Sequence, residues 1–175
     1  VDGSMASEVS FENVKLTSSS LIGDEGNAYA LIELVADETI AALCAEAIGA
    51  MSVLNETTVE YCKTRKQFGQ PIGKFQVLQH RMVDMFMQYE QSVSMTYMVN
   101  LKLEEEDVER SKAASGAKVQ ICNAAKFIGQ SAVQLHGGMG MTDELNVGHY
   151  FKRLSMIETQ LGNADHHLKK YSLAS

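Results

Sequence analysis

The sequence predicts an all-α fold, an antiparallel up-and-down four-helix bundle preceded by a short extended segment. Three observations carry this. One proline, no tryptophan and ten methionines leave few obligatory helix breaks and many flexible apolar side chains for packing. Apolar residues recur at three- and four-residue steps through four stretches. The interruptions between those stretches are short, which favours antiparallel neighbours.

A chain of 175 residues, 45% of them hydrophobic, has the size of one domain and can bury a core without disulfides or metal. Residues 1–4 read as a cloning remnant ahead of Met5, so residues 1–8 are expected to be a disordered tag and residues 9–175 the domain. Val9, Phe11 and residues 14–16 form a short extended stretch, closed by the polar residues 17–20, like the last strand of a missing sheet.

The first helix follows the loop at residues 23–27. Leu31, Leu34, Val35, Ala41, Ala45, Ile48 and Ser52 recur at helical steps as far as Thr64. The run Phe68-Gly69-Gln70-Pro71-Ile72-Gly73 then breaks the pattern, because proline lacks a donor and glycine admits unusual dihedrals. A long loop is expected there. Phe75, Leu78, Met82, Met85, Tyr89, Val93 and Thr96 mark a second helix of about thirty residues. The acidic cluster Glu104-Glu105-Glu106-Asp107 reads as a solvated connection suited to the start of the next helix.

Ala117, Ile121, Ala124, Ile128, Ala132 and Leu135 define a third helix, whose many small residues allow close approach by its neighbours and place it centrally. His136-Gly137-Gly138-Met139-Gly140 ends it. A fourth helix is expected from Leu145 to Ile157, capped by Thr142 or Asp143.

The formal net charge of -7, with no Lys/Arg block, opposes binding to nucleic acid or to anionic membrane. No apolar run approaches a membrane span, and a cytoplasmic location is expected. Cys44, Cys62 and Cys122 lack paired spacing and are expected to be buried reduced thiols. No metal site is expected, because His166 and His167 point about 100° apart on a helix, and with His149 they read as surface residues.

Two segments carry groups suited to ligand chemistry. Residues 64–76 place a guanidinium, an aromatic ring and two amides around a glycine-containing loop, which suits a diphosphate and ring faces. Taken alone, an arginine and a phenylalanine at a helix junction are more often a solvated charge and a core plug. Residues 134–142 end a helix with three glycines in four positions. Exposed backbone N–H groups there suit a phosphate, and an ordinary helix C-cap is the other reading.

The pair RKQFGQPIGKFQ and QLHGGMGMT, about sixty residues apart with a long helix on each, resembles the signature of acyl-CoA dehydrogenase C-terminal domains. The resemblance runs from about Val9 to Tyr171 and implies the four-helix domain without the two domains that precede it in such enzymes. It implies FAD as cofactor, at a subunit interface, with Arg65, Gln67, Phe68, Gln76, Gln134, Leu135, His136, Gly137 and Gly138 touching the adenosine diphosphate portion held by a neighbouring subunit. Family members oxidise an acyl-CoA at the α and β carbons, with a glutamate taking the α proton. Matched against the family's loop after the fourth helix, Leu161 stands where that glutamate belongs, and leucine accepts no proton. The alternative position on the first helix holds Thr39, with Glu38 beside it, and the arginine that often follows matches Ile40. Glu158 and Asp165 are the carboxylates nearest Leu161, reachable only by a shifted loop.

By this resemblance the chain is a fragment or subunit of an acyl-CoA dehydrogenase that completes a flavin site and an oligomer interface, and no catalytic residue is assigned. Alone it is expected to be inactive. Its partner is a second copy, as dimer or tetramer, or a catalytically competent homologue. A helical interaction module that binds no flavin is the alternative function.

Overall fold

The computed structural model describes residues 1–174. Five helices follow one another: α1 (Ala28–Thr64), α2 (Gln76–Leu101), α3 (Asp107–His136), α4 (Val147–Thr159) and α5 (Ala164–Leu173). The first four form the antiparallel up-and-down bundle. A short fifth helix, α5, adds to the four expected and carries His166 and His167. No helix among the described residues is long and apolar enough to cross a membrane.

The third helix is the centre, as its composition predicts. Ala117, Ile121, Ala124, Ile128, Ala132 and Leu135 are all buried, and α3 packs against α1, α2, α4 and α5. Small residues permit this crowding. A Cβ at Gly129 would come within 2.7 Å of the Phe151 ring, so the crossing of α3 and α4 depends on that glycine.

The buried stripe of α1 includes Ile40, Ala41, Cys44, Ala47, Met51, Leu54 and Cys62, so of the predicted stripe Ala41 is core and Ile48 packs against its edge. Leu31, Val35 and Ala45 are exposed. All three cysteines are buried and free; burial pushes the Cys44 thiol up to about 12, so it stays protonated.

Residues 9–16 pair with no strand among the described residues and leave Val9, Phe11 and Leu16 exposed, as a strand without its sheet would be. Two further expectations are corrected. The long loop after α1 is a tight hairpin, β1 (Lys66–Gln67) against β2 (Gln70–Pro71), followed by a 3-10 turn at Ile72–Lys74. Its two turn residues, Phe68 and Gly69, take φ of 54° and 79°, the backbone twist that suits a two-residue hairpin turn. Neither Thr142 nor Asp143 caps α4: Asn146 precedes it without a side-chain bond, and the Thr142 hydroxyl donates to the Met139 carbonyl at 3.0 Å. The acidic cluster stands as expected between the end of α2 at Leu101 and the start of α3 at Asp107, where Asp107 and Glu109 complement the helix dipole.

A buried ion cluster ties α5 to the bundle. Asp37 on α1 accepts from Arg110 Nε at 3.3 Å and lies 3.7 Å from Lys170 of α5, while Arg110 also reaches Asp107 at 2.7 Å. Burial nevertheless raises the Asp37 carboxyl above its ordinary value. At the other end of the sequence, Asp2 pairs with Arg153 at 2.8 Å.

Candidate functional site

Two places in the fold gather the residues singled out by sequence. The first lies where α1 ends and α3 ends. Tyr61, one turn before Arg65, stacks on His136 with ring centroids 4.3 Å apart, and its hydroxyl donates to the His136 carbonyl at 3.4 Å. Thr64 and His136 line one cleft of about 440 Å³ with Glu56, Thr57, Glu60, Tyr61 and Leu145. The two motifs therefore meet at one end of the bundle.

The first motif is folded tightly onto α1. The Ile72 N–H donates to the Arg65 carbonyl at 2.9 Å, and a Cβ at Gly73 would come within 2.9 Å of the Cys62 carbonyl oxygen, so the turn needs glycine there. This packing leaves Arg65, Gln67 and Gln76 exposed. Phe68 is 88% exposed at the hairpin tip, edge-on to Phe75 at 6.0 Å, and is not the core plug of the bland reading.

The second motif is part cap, part open turn. The Gly137 N–H donates to the Gln134 carbonyl at the end of α3, so this N–H is not free for a ligand. Gly137 takes φ 62° and ψ -142°, backbone that L side chains rarely adopt. A Cβ on Gly138 would meet nothing within 4 Å, which leaves its backbone approachable. Leu135 is a core residue, whereas Gln134 is exposed. The His136 imidazole, 3% exposed, donates from Nδ1 to the Ala132 carbonyl at 2.8 Å, and its Nε2 has no partner.

The second place is the turn between α4 and α5. Leu161 takes a left-handed φ of 55° ahead of Gly162 and leaves its side chain 45% exposed. Lys118, fully buried on α3, donates from Nζ to the carbonyls of Ile157 and of Gln160, the latter at 2.9 Å. His167 Nε2 donates to the Leu161 carbonyl at 2.9 Å, and its Nδ1 lies 3.2 Å from Ser115 Oγ. Lys118 and His167 thus hold this turn, and its register places neither Glu158, inside α4, nor Asp165, in the first turn of α5, at Leu161.

The expectation of surface histidines fails at His167, which is 2% exposed. Asn163 caps α5 through Oδ1 to the His166 N–H at 3.0 Å, and the helix so started folds back on α3 with His167 inside. Burial holds its imidazole below the ordinary value and pushes the Lys118 ammonium below the usual lysine value. Lys118 was missed because a lysine inside an alanine-rich stripe carries no sequence mark of burial. On α1, the Thr39 hydroxyl donates to the Val35 carbonyl at 2.6 Å, and Ile40 belongs to the core. Among the described residues no group of His, Cys, Asp or Glu is arranged to hold a metal ion.

Residues 31–170 match the family described as acyl-CoA dehydrogenase, C-terminal domain. The chain belongs to the acyl-CoA dehydrogenase family. It is 32% identical over 169 residues to the L-prolyl-(peptidyl-carrier protein) dehydrogenase of Serratia sp. strain ATCC 39006, covering 96% of this chain and 43% of that one. Among solved structures, the butyryl-CoA dehydrogenase of Megasphaera elsdenii superposes with a TM-score of 0.86 at 28% identity, over 94% of this chain and 43% of that one. The FAD complex of PigA gives a TM-score of 0.81 at 28% identity, over 93% of this chain and 42% of that one. This acyl-CoA dehydrogenase C-terminal domain thus spans about two-fifths of the length of the relatives it matches.

Proposed function

We propose that the chain works as the C-terminal domain of an FAD-dependent acyl-CoA dehydrogenase, with residues 9–175 as the domain. It supplies the contacts to the ADP side of a flavin held largely by a neighbouring subunit, and it forms part of the oligomer interface. The stacking of Tyr61 on His136 carries this reading, because it brings the first motif's cation and exposed ring to the second motif's open turn. Arg65 offers a guanidinium fork to a diphosphate, Gln67, Gln76 and Gln134 offer amides, and Phe68 holds an uncovered ring face where a ligand ring can lie. The approachable Gly138 backbone fits close contact with a phosphate. FAD, when bound, supplies the hydride acceptor for oxidation of an acyl-CoA between its α and β carbons.

The chain brings no base to that reaction. Leu161 occupies the turn where relatives carry a glutamate, and the turn is too firmly held for a neighbouring carboxylate to replace it. The working assembly is accordingly an oligomer, with a second copy of this chain or with a catalytically competent homologue. The uncovered apolar side chains Val83, Phe86, Met87 and Tyr97 on α2 suit such an interface.

Arg65→Ala tests the reading. It should weaken FAD binding at least tenfold while leaving the mass measured by light scattering unchanged. Equal absence of flavin binding in both proteins would sink the proposal and favour a helical interaction module.

A further inference from the structure

The fifth helix buries one residue, and that residue is ionisable. Of Ala164–Leu173 only His167 is buried, while Leu168, Tyr171 and Leu173 are exposed. The apolar core is built by α1 to α4 and takes no side chain from α5. Polar contacts hold α5 instead: the imidazole itself, and Lys170, which lies 3.5 Å from Glu33 and 3.7 Å from Asp37. Lys112 adds a cation over the Tyr171 ring, 5.5 Å from its centroid. An element docked with so little apolar burial is the part of a fold that opens first.

Both ring nitrogens of His167 are committed in the neutral state. Nε2 donates to the Leu161 carbonyl at 2.9 Å, which leaves Nδ1 as the acceptor facing the Ser115 hydroxyl at 3.2 Å. A second proton has to enter at Nδ1, where that hydroxyl must then turn from donor to acceptor. The charged neighbours oppose it too. Lys118 of α3 and Lys170 of α5 each bear on the ring with a positive charge, and the His166 ring lies 5.0 Å away. Glu158 of α4 faces Lys118 and Asp37 of α1 faces Lys170, so among the described residues no carboxylate acts on His167 itself. Burial, and after it these cations, hold the imidazole below its ordinary value.

We propose that His167 is an acid-released latch: its protonation undocks α5 and frees the turn at Leu161, while the bundle of α1 to α4 stays folded. Undocking gives the imidazolium water in place of the Lys118 ammonium. It uncovers none of the apolar core, so the opening stops at the end of α4. The turn loses the donor to the Leu161 carbonyl at the same moment. Asp37 works in the opposite sense, because burial raises its carboxyl and falling pH favours the closed form there. The two groups are therefore separable by substitution. The latch acts whether or not the chain binds flavin.

Hydrogen exchange of the full chain at about pH 7.5 and about pH 5.5, corrected for intrinsic rates, tests it. Protection of the α5 amides should fall roughly three- to tenfold at the lower pH, about tenfold being the limit for an imidazole that titrates at 6.5 once released. The α3 amides should keep their protection. His167→Gln still donates to the Leu161 carbonyl and should show no fall, whereas Asp37→Asn should still show it. Unchanged protection of α5 in the wild-type chain, a loss shared equally by α3, or the same fall in His167→Gln would each overturn the latch. The wild-type comparison needs no variant, so a folding defect in either substitution cannot obscure the result.

Discussion

Tyr61 and His136, 75 positions apart in sequence, lie ring on ring at 4.3 Å, and this contact fixes the end of α1 against the end of α3. The segment that follows each residue is a turn rich in glycine, so the stacked pair acts as the rigid base from which both turns project. Replacing Tyr61 by alanine should therefore cost about 2 kcal/mol of stability, while Tyr61→Phe, which loses only a long hydrogen bond, should cost under about 1 kcal/mol. Urea unfolding of the two variants checks the difference.

Lys118 closes the carboxyl end of α4 from inside the core. Lys118→Met fills the same space but leaves the carbonyls of Ile157 and Gln160 without their donor. A loss of about 3 kcal/mol is expected, read from the shift in urea midpoint at unchanged slope. A change under about 0.5 kcal/mol would show that the turn before α5 is held by something else.

Acidification should loosen the same turn. The folded chain holds His167 below its ordinary value of 6.5, so between that lowered value and 6.5 the unfolded chain binds more protons. Stability therefore rises with pH across this window and is lost as pH falls through it. His167→Gln, which can still donate to the Leu161 carbonyl, should flatten the dependence between about pH 5 and 7 in thermal melts.

Much of the bundle was legible because burial and helical period agree along α3, where all six apolar positions read from sequence are core. The phase of α1 was not, because Leu31 and Val35 are apolar yet uncovered, and period alone cannot tell an uncovered apolar face from a covered one. The polar run of α5 hides how that helix packs, which rests on Lys170 beside Asp37 and on one buried histidine. The candidate site was legible as two motifs, and their distance was not: the Tyr61–His136 contact joins residues that no local pattern relates.

Close packing at Gly129 gives a double-mutant test. Gly129→Ala would drive its Cβ to 2.7 Å from the Phe151 ring and should cost about 1–3 kcal/mol. Combined with Phe151→Leu, the penalty of the alanine should shrink by at least half, since the two residues share one space. Additive losses in chemical denaturation would mean that α3 and α4 are free to slide apart.

The most direct test of the central claim is a visible absorbance titration of the chain with FAD, run beside FMN, which carries the same ring system without the ADP portion. Saturable binding of FAD, with none of FMN over the same range, is predicted if Arg65, Phe68 and the turn after His136 hold the ADP side. Binding of both flavins alike, or of neither, would contradict it.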